Sequence, residues 1–355
     1  MSLLFVTKPF APPWHDSSSG LARALVHGLL EQGDVGTLRV MVGGQPSGFS
    51  GLVEERIYSD RGAFAPGLRQ NIPVLMRLFR HRNESARHFF FAPNPRTAMA
   101  ARLARRFCRK PAIHTLCSLP AKDRAVRPSL FADRHVVVSP WAQRRLEAEG
   151  VETDLIEPAV LPLSSSEEGV ARCRDLYGDY VLFAGDLRPG GGVDSALAAA
   201  QHFPKGLNLV LACRAKTAAD HERKIRIEEQ IEAMRSTRVF LLGQIDWIGD
   251  LVSAARAQLL PATDLTGKMD WPLVILEGFA AGVPAVTAQD SPMADLVEPS
   301  LGVADAGDAL GLASEVERVL SLDSEQTRDL YNRRFTPKRL ANDYRRVYRS
   351  MGLMI

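Results

Sequence analysis

The sequence predicts an α/β protein built from two successive domains, each a parallel sheet covered by helices on both faces. Three observations lead there. At 355 residues the chain is too long for one compact core and suits two domains of roughly 160 to 190 residues. Short apolar runs alternate with stretches of helical spacing from end to end, the pattern of buried parallel strands joined by crossover helices. Between Ile156 and Gly169 the segment IEPAVLPLSSSEEG, rich in Pro and Ser, breaks that pattern and reads as a linker. The expected boundaries are residues 1–162, 163–335 and a terminal helix over 336–355.

In chain order, LLFVTKPF opens the first domain as a strand, and LARALVHGLLEQG follows as a helix with a glycine stop. LRVMVGG, HFFFAPNP, PAIHTL and RHVVVSP are further short strands, with RTAMAARLARRF and PWAQRRLEAEG as helices between them. The domain is Rossmann-like but has no G-x-G-x-x-G dinucleotide fingerprint. In the second domain DYVLFAGDL, LNLVLACR, RVFLLGQ, AQLLPAT and VPAVTAQ are strands. VDSALAAAQHF, HERKIRIEEQIEAM, LVSAARA and VILEGFAAG are helices, the last ending at Gly282. The closing PKRLANDYRRVYRSM places Leu340, Tyr344, Val347 and Tyr348 on one helical side.

Composition narrows the function classes. No apolar run reaches the roughly 18 residues that span a bilayer, and the start lacks the regions of a secretory signal, so a cytoplasmic protein is expected. Cys108, Cys117, Cys173 and Cys213 are scattered without C-x-x-C pairs, which favours buried thiols over a disulfide framework or a zinc site. Charge divides unevenly: 22 Lys and Arg face 14 Asp and Glu up to Pro162, and 22 face 27 after it. Most of the basic excess lies between Arg61 and Lys110, where Arg69, Arg77, Arg80, Arg82, Arg87, Arg96, Arg102, Arg105, Arg106 and Arg109 accompany the single acid Glu84. A solvated surface is one reading. The interleaving of arginines with Leu75, Met76, Leu78 and Phe79 gives another, a helix in peripheral contact with an anionic membrane through region 61–110. Nucleic acid is not expected, since no recognised binding motif accompanies the charge.

Several ordered segments carry a family resemblance. GKMDWPLVILEGFAAGVPAV, from Gly267 to Val286, is similar to the E-P-F-G-x-x-x-x-E-A-x-A-x-G-x-P-V segment of the retaining glycosyltransferases of family 4, which have the GT-B fold. ADRHVVVSPWAQRRLEAEGV resembles that family's A-D-x-V-V-x-V-S segment, IEPAV its I-P-P-G-V turn, RVFLLGQI its V-x-F-L-G strand, and FTPKRLANDYRRVY its closing helix. The resemblance implies two Rossmann-like domains facing across a cleft, with the last helix crossing back to the first domain. It also implies a sugar transfer from a nucleotide-sugar donor to a carbohydrate or lipid-linked acceptor hydroxyl, with retention, no cofactor and no metal.

Carried over residue by residue, the resemblance gives Glu277 the ribose hydroxyls, two donors that suit one carboxylate. A helix residue that merely caps or pairs is the alternative. The family's other glutamate falls on Met269, with Asp270 beside it as a candidate for the sugar. Pro272 and Leu273 open the helix whose N–H groups can hold a phosphate or sugar oxygen. The family's G-R-L-x-x-x-K-G turn stands here as Gly185, Asp186, Leu187, Arg188, Pro189, Gly190, Gly191 and Gly192, so its Arg and Lys are replaced by Asp186 and Gly191. The glycines either let backbone approach a phosphate or form a turn only. Diphosphate charge would then fall to Arg214, favoured at a strand end, or to Arg188, Lys216 or Lys268.

On the acceptor side the candidates are Lys8, His15, Asp16, Ser17 and Ser18, with Asp16 or His15 as base or acceptor-orienting group and an N-cap as the alternative. Asn94 and Cys117 end two further strands; a turn and a buried thiol are their plain readings. Asp270, Asp16 and Arg214 are the candidate catalytic residues. The rival class is a nucleotide-sugar-binding protein or partner subunit that has lost turnover, and a third reading is another sugar-nucleotide enzyme on the same fold.

Overall fold

The computed structural model describes residues 2–12, 14, 16–33, 36–58, 68–80, 84, 86–107, 109–121, 123–215, 217–234 and 239–353, with backbone only for residues 68–71 and 107. The chain forms two compact units. The first comprises Met1–Val160, Thr266–Leu273 and Phe335–Ile355, and the second Leu161–Leu265 and Val274–Arg334.

The first unit runs β1 (Ser2–Val6), α1 (Ser17–Gln32), β2 (Thr37–Val42), β3 (Leu52–Arg56), α2 (Leu68–Arg80), β4 (Ala86–Phe91), α3 (Pro95–Phe107), β5 (Ala112–Leu116), β6 (Arg134–Val137), α4 (Pro140–Glu147) and β7 (Asp154–Leu155). Its strands pair in parallel in the order β3-β2-β1-β4-β5-β6-β7. The second unit runs α5 (Glu167–Tyr177), β8 (Asp179–Asp186), α6 (Val193–Ala200), β9 (Leu207–Arg214), α7 (Ala218–Ala233), β10 (Val239–Leu242), α8 (Ile248–Ala254), β11 (Ala257–Leu260), α9 (Leu273–Ala281), β12 (Ala285–Ala288), β13 (Leu301–Ala304), α10 (Ala309–Leu320) and α11 (Ser324–Arg334). Its parallel order, β10-β9-β8-β11-β12-β13, repeats the winding of the first unit. In each sheet the strand order reverses beside the unit's first strand, and that switch point at the carboxyl edge is where open α/β sheets bind ligands.

The apolar runs behave as parallel strands must: Leu3, Leu4 and Phe5 of β1 and Val181, Leu182 and Phe183 of β8 are fully buried. The last helix, α12 (Pro337–Ser350), returns to the first unit and packs along α1. Gly28 permits the contact, since a Cβ there would stand 2.1 Å from the Pro337 carbonyl oxygen. Leu340, Tyr344, Val347 and Tyr348 are all buried, as their spacing required. The tyrosines enter a polar chain inside the core. Tyr348 Oη lies 2.8 Å from His88 Nδ1, His88 Nε2 2.8 Å from Thr115 Oγ1, and Thr115 Oγ1 2.7 Å from Tyr344 Oη. Desolvation, reinforced by His114, holds His88 far below its ordinary range, so one ring nitrogen donates and the other accepts.

Some elements went beyond the sequence reading. Strands β3, β7 and β13 and helices α5, α10 and α11 were not expected, and α5 starts at Glu167, capped by Ser166, inside the expected linker.

Candidate functional site

In the second unit, the end of β8 and the turn after it carry four of the expected donor residues, Gly185, Arg188, Gly191 and Gly192. Gly185 and Asp186 end the strand, and Asp186 is the register partner of Arg214, the last residue of β9. Gly190 and Gly192 take positive φ, 72° and 98°, and a Cβ on Gly192 would lie 2.9 Å from the backbone of Pro261 and Ala262. A Cβ on Gly191 would lie 2.9 Å from the Arg188 carbonyl oxygen. The N–H groups of Thr263 and Asp264 each donate to the Gly190 carbonyl at 3.0 Å, locking the turn after β8 to the one after β11 at the switch point. The glycines therefore form a compact, fixed turn rather than a slack one. It leads into α6 with no side chain capping that helix, and free N–H groups at such a terminus favour an anion. Arg188 is braced against the same loop by a hydrogen bond to the Asp264 carbonyl.

Helix α9 presses on β11 where Gly278 meets Gln258, whose amide also donates to the Ile275 carbonyl at 3.3 Å. Any side chain at 278 would overlap Gln258, since a Cβ would stand 1.7 Å from its Nε2. Glu277, the neighbour of that contact, is half-buried one turn into the helix. The helix ends as expected at Gly282, with φ of 83° and the Val283 N–H bonded to the Gly278 carbonyl at 2.8 Å.

The segment ahead of α9 belongs to the first unit. Met269 is buried, Trp271 is fully buried edge-on to Phe335, and the Gly267 N–H donates to the Leu119 carbonyl. Asp270 is buried and accepts a 2.6 Å hydrogen bond from Ser139 Oγ, which also caps α4 through the Ala142 N–H. Ser139 was not among the expected residues; its place at the end of the run RHVVVSP, directly ahead of Pro140, was the available signal. Lys268 and Pro272 are half-buried, and Leu273 places a methyl where a side chain on Gly20 would stand.

In the first unit, residues after β1, β4, β5 and β6 share the carboxyl edge of the sheet, and most of them are engaged. Asp16 caps α1 through the Ser18 N–H at 3.1 Å, accepts from the Ser18 hydroxyl, and pairs with Lys8. Burial pushes the Asp16 carboxyl up, but the hydrogen bond and charge of Lys8, with both Ser18 donors, outweigh it and hold the acid below its ordinary range. A carboxylate so held is a weak proton acceptor, so what Asp16 does here is cap and pair. Ser17 is the first residue of α1, and Ser18 is buried. Asn94 caps α3 through the Arg96 and Thr97 N–H groups at 2.9 and 3.3 Å. Cys117 is buried 3.6 Å from the Thr115 carbonyl, and burial, aided by the charge of Asp16, pushes its thiol up and away from the thiolate form. His15 and Lys216 lie outside the described residues, as do Cys108, Arg61 and Arg82. Among the described residues, no group of His, Cys, Asp or Glu side chains could hold a metal ion, and no helix is long and apolar enough to cross a membrane.

Residues 178–322 match the family described as glycosyl transferases group 1. No curated protein matches the chain in sequence. Among solved structures, Anabaena HepE in complex with UDP is similar with a TM-score of 0.76 at 15% identity, covering 99% of this chain and 100% of that one. The same protein has been solved with UDP-glucose. Sucrose-phosphate synthase from Thermosynechococcus elongatus is similar with a TM-score of 0.77 at 17% identity, covering 99% of each chain. A glycosyltransferase from Rickettsia africae gives a TM-score of 0.71 at 12% identity, covering 99% of this chain and 98% of that one. The fold is that of GT-B glycosyltransferases.

Proposed function

We propose that this protein transfers a sugar from a nucleotide-sugar donor to an acceptor hydroxyl, with retention at the anomeric carbon and without a metal. The observation that carries the reading is the extent of the glycosyl transferases group 1 match. Residues 178–322 take in the turn from Gly185 to Gly192, Arg214 and α9 with Glu277. The donor diphosphate is received by the uncapped start of α6 and by Arg214, and Glu277 accepts from the ribose hydroxyls. In the transfer step the acceptor oxygen bonds to the anomeric carbon while the bond from that carbon to the diphosphate oxygen breaks. The hydroxyl proton ends on the released nucleoside diphosphate. Positioning and support of the leaving charge supply the catalysis, and the acceptor is a carbohydrate or lipid-linked hydroxyl.

Incubating the protein with a panel of UDP-, GDP- and ADP-sugars, with and without EDTA, tests the reading through release of nucleoside diphosphate. Slow, EDTA-insensitive release from one donor class is expected, accelerated by a matching acceptor. A specific observation supports a second reading, binding without turnover: Met269 is buried where the family has an acid, and Asp270 beside it is held by Ser139. Tight nucleotide binding with no release from any donor, with or without acceptor, would establish that reading and end the first.

A further inference from the structure

The basic region of the first unit holds a surface that the donor chemistry does not use. On α2, Ile72, Met76 and Phe79 lie at successive turns of one face and are 55%, 67% and 41% exposed. On α3, packed beside it, Met99 and Leu103 are 68% and 55% exposed. Met99, Arg102, Leu103 and Arg106 fall at i, i+3, i+4 and i+7, so apolar and guanidinium groups share one stripe.

Next to this stripe is a cavity of about 630 Å³ lined by Arg102, Arg105, Arg106, Arg109, Lys110 and Arg134. Among the described residues that line it, Asp133 is the one acid, and it already receives Arg105. Arg134 is paired with Asp154, and Arg102 is anchored on the Pro128 and Leu130 carbonyls. Arg106, Arg109 and Lys110 form no ion pair among the described residues, which leaves an uncompensated positive mouth. The cavity opens where β5 and β6 begin, the opposite sheet edge from Lys8, Asp16 and Cys117.

We propose that the α2–α3 face docks on an anionic lipid bilayer, with the cavity at the end of α3 receiving a lipid phosphate headgroup. A soluble anion would need only the cavity. The flanking stripe of exposed methionine, leucine, isoleucine and phenylalanine, interleaved with arginines, fits a surface that is negative at its face and apolar just beneath. Arginine forks hold phosphate oxygens, and the apolar side chains enter the acyl boundary. This surface owes nothing to the donor reading and stands or falls separately.

Co-sedimentation of the full chain with vesicles tests it, without nucleotide. Binding to phosphatidylcholine vesicles that contain phosphatidylglycerol is expected, weakening as salt is raised, with none to pure phosphatidylcholine. Arg106→Glu combined with Arg109→Glu should reduce binding by about ten-fold or more, since each cation near the surface contributes about five-fold. Met76→Asp and Met99→Asp, at exposed positions, should reduce it as well, with circular dichroism and nucleotide affinity unchanged. No phosphatidylglycerol-dependent binding would overturn the proposal, as would binding indifferent to these variants. Inorganic phosphate bound without vesicle binding, or self-association relieved by Met76→Asp, would do the same by assigning the face to a free anion or to a second copy.

Discussion

The two units wind their strands in the same order yet bury different things. Around the middle of its sheet the second unit is almost wholly apolar, with Tyr180, Leu182, Val210, Leu251 and Val252 in one cluster, and its buried polar side chains, such as Gln258 and Thr287, serve neighbouring carbonyls. The first unit instead holds His88, His114 and Thr115 in its sheet, all fully buried, with Arg87 donating to the Leu78 carbonyl. A parallel winding thus requires strands that tolerate burial on both faces. It does not require an apolar interior: His88 and Thr115 are partnered throughout, and His114 bonds the Phe91 carbonyl through Nε2 while its Nδ1 is left without a partner among the described residues. The difference teaches where each unit is vulnerable: the first through its polar chain and its attachment of α12, the second through backbone contacts at its switch point.

The largest effect is expected at Gly28. A side chain there meets the Pro337 backbone, which cannot swing away, so Gly28→Val should destabilise the first unit by about 3 kcal/mol or more, read as loss of amide protection in α1 and α12. Gly192→Ala is the counterpart in the second unit, where a positive φ combines with the approach of Pro261; a loss of about 1–3 kcal/mol is expected, with amide protection lost first around α6 and β11. Equal, negligible losses at both would mean the close approaches are not structural.

Thr115→Val, which keeps shape but leaves His88 Nε2 and Tyr344 Oη without their shared partner, should cost about 2 kcal/mol in a denaturant melt. The matched Thr287→Val, which removes one bond to the Leu260 carbonyl, should cost about 1 kcal/mol. Acid should divide the units further. Burial lowers His114 to about 3 and His135 to about 4 from an ordinary 6.5, with His88 also well down. The unfolded chain therefore binds more protons than the folded one below 6.5. Stability contributed by the neutral rings is full above that pH and is lost as pH falls toward 4. Hydrogen exchange at pH 5 should show the first unit opening before the second, and a simultaneous loss would contradict the comparison. Asp16→Ala should likewise cost about 1 kcal/mol, through the lost α1 cap.

Much of this was legible in the sequence because buried parallel strands announce themselves as apolar runs, and α12 because Leu340, Tyr344, Val347 and Tyr348 repeat at helical spacing. β3 was not, since LVEER ends in three charged residues on an edge strand, nor was β7, whose two residues carry no pattern, nor β13, where Gly302 interrupts the apolar run LGVA. At the proposed site, Glu277 and the glycine turn are candidates that motif spacing alone supplies. Ser139 beneath Asp270 and the His88 chain were not legible, because their partners lie 131 and 260 residues away and no local pattern encodes a contact of that range. Asp16 had two readings from sequence, and only geometry shows its oxygens occupied by Lys8 and Ser18.

The central claim is that the second unit grips a nucleotide through Glu277, and calorimetry with UDP, GDP and ADP on the native protein and on Glu277→Ala tests it most directly. One nucleoside diphosphate should bind the native protein, with affinity falling about ten-fold or more in the variant while its melting temperature holds, as expected when two ribose hydroxyls lose their carboxylate acceptor. Native binding that the variant reproduces unchanged, or no binding of any of the three, would contradict the account.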